Sequence, residues 1–537
     1  MNARTRGGLD LFRLETPGLT LAFWGAIGLF TLAFFVTPFL PLIDYHQHVA
    51  IAALLRRLWA GEPEARALYE ANYVNYAGGF HLLTAALSTV MSPFHAGRVI
   101  MATYPFLFGC AALAIVREAE RPRWYAFLAL PVMYSRAMAW GFANWNLTWP
   151  VAILGVVWFV RYSRGERAML WRLLACSCFC AYGHVLAMLC LCAGMGVVAI
   201  ERAVAGRGPL RTRLGALIAT PLPVAPGILW CIYVYRYQTH SSFSNWSESQ
   251  FDGTDDPLWY KLRQLVMSSP TPEMGAANFC SFWDLSDSII FALALGICLL
   301  LSVLGTSEPE SVDDDLRDDV RAIRALAVFF FACYLIVPKV FVATWFVYER
   351  FPPLAMLFLV GALPLRLMPH REELRAVAAG LGVAAGANTA RVWATMGDGK
   401  DAIAIIDDVP EGRKLLAVTH EPWTERLARS VYVHLPAVYQ AKKRGEIAYT
   451  FTKFESSTVH YKPGKAPPSV QPGFEWNARA YDVHSAWARA YDVTLVRAPE
   501  GMDDPAGSTF GNEAWKTKLI SRRGRFFLYD TSRFSQQ

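Results

Sequence analysis

The chain has 537 residues, of which 54% are hydrophobic, 14% aromatic and only 18% charged. Ordinary soluble domains carry about 25% charged residues, so this composition, with a mean hydropathy of +0.26, excludes a disordered chain and a purely soluble enzyme. The formal net charge of +7 comes from Arg and Lys scattered between apolar stretches, without a dense basic stripe interleaved with aromatics. Cytoplasmic loops and the headgroups of a lipid bilayer are therefore the expected context, and nucleic acid is not an expected partner.

The N-terminal segment carries Arg4, Arg6 and Arg13, and an apolar run of residues 19–43 follows. That run is too long for the core of a signal peptide and suits a retained first span leaving the cytoplasm. Further spans are expected at 98–116, 125–141, 147–161, 172–182, 184–201, 214–235, 285–304, 322–343, 351–367 and 373–390. Two polar insertions, 44–79 and 236–284, are expected outside, and residues 307–324 form a strongly charged loop. The basic clusters near Arg117, Arg161, Arg202, Arg317 and Arg366 belong on the cytoplasmic side by the positive-inside rule. Parity then requires segment 80–91 to dip rather than cross; if it crosses, the Arg117 and Arg161 clusters move outside. Of ten cysteines, nine lie in apolar segments, and Cys176, Cys178 and Cys180 read as small packing residues rather than a metal cluster.

Beyond residue 390 the pattern changes. Strands are expected at LLAV (415–418), YDVTLVRAP (491–499) and FFLYD (526–530), a polar helix around AVYQAKKRGE, and an irregular loop over 463–473. The expected fold is an all-α polytopic membrane domain, residues 1–390, followed by a small soluble α/β domain, 391–537. The expected location is a bacterial cytoplasmic membrane, with the N-terminus inside and the C-terminal domain outside. No dinucleotide fingerprint, P-loop, zincin motif or EF-hand occurs.

Three constellations carry candidate chemistry. The first is Asp44-Tyr45-His46-Gln47-His48, directly after the first span. Asp44 and His48 share a face of a helix, and His46 points elsewhere. A carboxylate at a membrane boundary is costly unless it is wet, paired or useful. Asp44 reads either as a helix cap or as a functional group, and Asp44, His46 and His48 have the residue types of a divalent-metal site. The second comprises Tyr73, Asn75, Tyr76 and His81 around a Gly pair, which suits a pocket floor or an aromatic belt. The third is Glu349-Arg350 before the tenth span, with Lys339 upstream. A guanidinium there can hold a phosphate bidentately, and the alternative is a Glu349–Arg350 surface pair. Asn144 and Asn146 before one span and His184 between two others occupy turns that face the same side in the positive-inside arrangement. Tyr439, Lys442 and Lys443 are candidate acceptor or capping contacts, with a solvated helix face as the alternative.

This layout resembles the integral-membrane GT-C glycosyltransferases over residues 15–390: one N-terminal span, an acidic residue opening a large outer loop, many spans, a later Arg near the membrane surface, and a soluble C-terminal domain. The resemblance implies glycosyl transfer from a polyprenyl-phosphate sugar to a lipid or glycan acceptor on the outer face. Asp44 then matches the catalytic or metal-associated carboxylate, and Arg350, with Lys339, the donor-phosphate site. A Mg or Mn ion is the cofactor such a site admits. The residue after Asp44 is Tyr45, where the superfamily often shows a second acid. A transporter or flippase of a lipid-linked substrate, and a non-enzymatic assembly protein, are the alternatives.

Overall fold

The computed structural model describes residues 12–205, 218, 220–239, 258–261, 293–298, 314–341, 344–364, 371–421, 430–468, 470 and 474–534. Most of the 236–284 insertion and most of the expected span at 285–304 lie outside the described residues.

The apolar stretches fold as helices whose ends follow the prolines. The first helix, Pro17–Ala33, starts at Thr16, whose side chain accepts from the Leu19 amide. It stops ten residues short of the expected span, because Pro38 and Pro41 cannot continue a helix. The expected span at 125–141 is instead a 3-10 helix, Arg123–Val132, containing Pro131, followed by the short helix Arg136–Ala139. The expected span at 322–343 ends with the helix Asp314–Ile336, just before Pro338. Segment 80–91 forms a nine-residue helix, Gly79–Leu87, about 13 Å long at 1.5 Å per residue and too short to cross a bilayer. Among the described residues three helices are long and apolar enough to cross a membrane: Pro93–Glu118, Ala143–Tyr162 and Val185–Val204.

Small residues set the closest helix packing. The helix Arg371–Ala394 lies along Pro17–Ala33, and a Cβ on Gly386 would come 2.9 Å from the Ala26 carbonyl. Ion pairs gather one end of the bundle. Arg164 pairs with Glu118 and with the fully buried Asp319, and Arg202 Nη2 lies 2.8 Å from Asp319. The C-terminal ends of the helices Thr103–Glu118, Ala143–Tyr162 and Val185–Ala205 therefore share a side with the N-terminal part of Asp314–Ile336. The opposite ends, near Asn144, His184 and Arg350, converge on the other side.

Nine strands are described: β1 Tyr69–Ala71, β2 Val340–Phe341, β3 Thr344–Trp345, β4 Lys414–Thr419, β5 Glu446–Ile447, β6 Val459–Tyr461, β7 Val493–Arg497, β8 Lys518–Arg523 and β9 Phe526–Asp530. The C-terminal sheet runs β5-β4-β7-β9-β8, with β4 parallel to β5 and β7 and the β9 pairings antiparallel. It matches the expected strands at 415–418, 491–499 and 526–530, and β8, an exposed strand, is additional. Residues 463–468 form no regular element. The C-terminal region is also sewn onto the polar insertion 44–79. β1 pairs with β6, and the Gln47 side chain bonds the backbone of Tyr449 and Phe451. That junction positions the site described next.

Candidate functional site

Asp44 is fixed through its backbone. Ile43 and Asp44 donate their amides to the carbonyls of Ala139 (3.2 Å) and Trp140 (2.7 Å). Gly141 permits this approach: it has φ +75°, and a Cβ there would lie 2.7 Å from the Tyr45 nitrogen and 3.1 Å from that of Asp44. The helix Tyr45–Trp59 starts at the next residue, yet the Asp44 carboxylate makes no capping bond to it. Its Oδ1 lies 3.2 Å from Nδ1 of His434, a buried residue of the C-terminal region. The capping role considered for Asp44 is thus not the one it takes.

The two histidines of the expected D-x-H-x-H set diverge from each other. His46 stacks on Phe39 with centroids 4.1 Å apart, and its Nε2 bonds the Leu40 carbonyl at 3.0 Å. Burial lowers its pKa to about 3, so it is neutral at physiological pH. His48 Nδ1 meets His81 Nε2 at 2.9 Å, and His81 Nδ1 meets the Thr458 hydroxyl at 2.7 Å. Burial also lowers His48, to about 4, with Asp44 opposing the shift. Among the described residues no three His, Cys, Asp or Glu side chains gather as a metal site. The chain's own residues here do not fit the Mg or Mn ion of the sequence reading. The physical reason is helical geometry: position 46 turns inward to the Phe39 ring, away from the face shared by 44 and 48.

The Gly pair at 78–79 serves close packing. Gly78 donates its amide to the Tyr182 carbonyl, and Val185 donates to that of Tyr76. A Cβ on Gly79 would sit 3.0 Å from Gly183 Cα. This contact draws His81 and His184 to one end of the bundle. Asn144 Oδ1 accepts from the Phe80 amide at 2.8 Å, and its Nδ2 is 3.5 Å from His81. Asn75 shapes the local turn through Asn72 and Ala77. Tyr73 is exposed and accepts from the Trp59 indole. Asn146 is buried with neither amide atom bonded among the described residues.

Arg350 is buried, with its guanidinium carbon 4.0 Å from the Phe142 ring centroid and 5.5 Å from that of Trp145. Its Nη1 lies 3.0 Å from His184 Nε2, while the Leu186 amide reaches His184 Nδ1 at 3.1 Å. A neutral imidazole accepts at only one nitrogen, so these two donors compete for it. Burial lowers the Arg350 pKa to about 9, with Asp44 and Glu349 raising it, and it stays a cation at neutral pH. Glu349 does not form the considered surface pair with Arg350. It is buried and ion-paired with Arg136 at 2.9 Å. That pair ties the segment of Arg350 to the short helix preceding Trp140 and Gly141, which hold Asp44. Lys339 lies past the end of the helix Asp314–Ile336, with its Nζ 5.6 Å from the Phe346 centroid. Phe346 has φ +56° and stacks on Trp140 at 4.2 Å; a left-handed aromatic residue is strained and marks a constrained place.

The C-terminal contacts differ from those expected. Tyr439 donates its hydroxyl to the carbonyls of Pro410 and Arg413, Lys442 pairs with Asp407, and Lys443 bonds the Asp407 carbonyl. None of these contacts reaches Asp44 or Arg350; they hold the helix Pro436–Lys443 to the last turn of the helix Gly399–Asp408 and the segment that follows it. The residues the C-terminal region does supply, His434, Tyr449, Thr458 and Trp476, carry no spacing signal. His434 stands alone in the apolar string VYVHLP.

No family model matches the chain, and no curated protein matches its sequence. Among solved structures the chain is similar to ArnT from Cupriavidus metallidurans in the apo state, with TM-score 0.55, 11% identity, and coverage of 96% of this chain and 99% of that one. It is likewise similar to the same protein bound to undecaprenyl phosphate, with TM-score 0.52, 12% identity, and coverage of 96% and 98%. At this identity the likeness shows the fold alone, which is shared with ArnT along almost the whole chain.

Proposed function

We propose that the protein is a membrane glycosyltransferase that moves a sugar from a polyprenyl-phosphate donor to a lipid or glycan acceptor at the outer face of a bacterial cytoplasmic membrane. In this reading residues 1–390 carry the spans, with the N-terminus inside, and residues 391–537 lie outside. The observation that carries it is the convergence of a carboxylate and a buried guanidinium at one end of the helical bundle. Asp44 sits close enough to Arg350 to favour its cationic form, and each stands at a junction between an apolar segment and a polar one.

The chemistry suits that pair. Arg350, backed by two aromatic faces, receives the donor phosphate, and an anionic oxygen beside Nη1 relieves the competition at His184. The same guanidinium stabilises the charge that builds on the leaving phosphate. Lys339 adds a second cation on the Phe346–Trp140 wall. Asp44 anchors removal of the acceptor proton. The likeness to a structure bound to undecaprenyl phosphate supports a lipid-linked phosphate as the donor class, because a prenyl chain stays in the bilayer while its sugar reaches water.

The test is transfer in proteoliposomes, with radiolabelled polyprenyl-phosphate sugars and an extract of lipid and glycan acceptors. Wild type transfers label, and folded Asp44→Asn loses it by about 10²-fold or more. Transfer that survives Asp44→Asn removes Asp44 from the reaction. Absence of transfer together with lipid-linked substrate crossing the bilayer points to a flippase.

A further inference from the structure

The Asp44 carboxylate does not stand open to an acceptor; its Oδ1 is engaged by His434. Nδ1 of His434 is 3.2 Å from Asp44 Oδ1 and 3.3 Å from the Ile43 carbonyl. Both neighbours are acceptors, so Nδ1 carries the proton and Nε2 carries the lone pair. Nε2 is buried and meets no donor among the described residues. An unsatisfied polar atom in an interior is costly, because it has given up water without gaining a partner, and a substrate hydroxyl donating to it offsets that cost. The ring is held rigidly: it stacks on Tyr449 at 5.2 Å and 11°, with Phe451 and Trp476 edge-on at 5.7 and 6.3 Å.

We propose that His434, supplied by the C-terminal region, takes the acceptor proton, and that Asp44 is its positioning partner. The inference rests on the glycosyl-transfer reading. The acceptor oxygen bonds to the anomeric carbon as the bond from that carbon to the donor phosphate oxygen breaks. The bonding pair leaves with the phosphate, held at Arg350, and the hydroxyl proton passes to His434 Nε2. The imidazolium is then hydrogen-bonded to Asp44, and its proton returns to water as product leaves. An imidazole is the better base near neutral pH, and the carboxylate fixes its tautomer and orientation. The charged and titratable groups around His434 suit this role. Asp44 and Glu475 are acidic, His46 and His48 are held neutral by burial, Tyr449 is a neutral stacking partner, and Arg350 lies beyond Asp44.

The experiment compares wild type, His434→Asn and His434→Gln in proteoliposomes, and measures undecaprenyl phosphate binding separately. Asn places an amide N–H where Nδ1 stood and keeps the bond to Asp44, with nothing at Nε2; Gln does the reverse. Both variants are expected to bind undecaprenyl phosphate within about twofold of wild type and to lose about 10²–10⁴-fold in transfer. A rise of kcat/KM with pH is expected in wild type and is expected to be absent from the residual activity of both variants. Added imidazole is expected to restore part of the transfer in His434→Gly. Wild-type-like transfer by His434→Asn, with its pH profile intact, overturns the role of His434 and leaves the transfer reading standing. A wild type that neither binds undecaprenyl phosphate nor transfers sugar overturns the transfer reading, and this inference with it.

Discussion

Two neighbouring stretches of the C-terminal region treat their polar groups in opposite ways. In the helix Pro436–Lys443 the polar side chains are consumed by the fold: the Tyr439 hydroxyl meets two carbonyls, and Lys442 and Lys443 both bind Asp407. Just upstream, His434 commits one nitrogen to Asp44 and leaves the other buried without a donor among the described residues. A cationic helix face draws attention in a sequence, yet its charges have done their work once the helix is docked. The group ready for chemistry is the one whose bonding capacity the fold leaves unused.

The largest effect expected from breaking this contrast lies beneath the site. Arg136 and Glu349 form a buried pair with side chains 5% and 1% exposed. Removing one partner of such a pair costs about 3–5 kcal/mol. Glu349→Ala is expected to lower the apparent melting temperature of the detergent-solubilised protein sharply and to abolish transfer, because the Asp44 and Arg350 segments lose their common tie. A variant that melts like wild type shows that the site is held by other contacts.

Gly141→Ala sharpens the same contrast without changing any charge. Strain at a left-handed position costs about 1–3 kcal/mol, and the new Cβ runs into the backbone of Tyr45 and Asp44. A displacement near 1 Å at the reacting groups costs about 10²-fold in rate. The expected result is that loss of transfer with undecaprenyl phosphate binding retained, since Arg350 is on a different segment. Equal loss of binding and transfer is the result that contradicts a local effect on Asp44.

Much of this arrangement is legible in the residues, for reasons that can be named. Asp44 and Arg350 stand where apolar runs end, and a charge at such a boundary must be useful or satisfied. The turns at Asn144 and His184 were readable as sharing one side in the positive-inside arrangement, and the Arg164–Asp319–Arg202 cluster gathers the other end. His434 was not legible. Its partner Asp44 is 390 residues away, and a single histidine among apolar residues has no periodicity to betray it. The metal reading of Asp44, His46 and His48 fails on a rotation along one helix that composition cannot see. Helix lengths were misread where prolines interrupt hydropathy, at Pro38, Pro131 and Pro338, because a window average ignores a missing amide.

The smallest effect belongs to the helix that the sequence favoured. Lys442 is 34% exposed and Asp407 50% exposed across their 2.7 Å pair. Exposed pairs of this kind contribute about 0.2–1 kcal/mol, because water already solvates both charges and each side chain loses rotamer freedom in the bond. The Lys442→Ala, Lys443→Ala double variant is therefore expected to keep transfer within about twofold and to melt within a few degrees of wild type. Its undecaprenyl phosphate binding should match wild type at low and high salt, since neither ammonium contributes to the Arg350 seat. A loss of transfer that grows with ionic strength, at unchanged stability, is the outcome that reverses the comparison. It would mean that the two lysines recruit an anionic acceptor from the surface, and that the fold had not used them up after all.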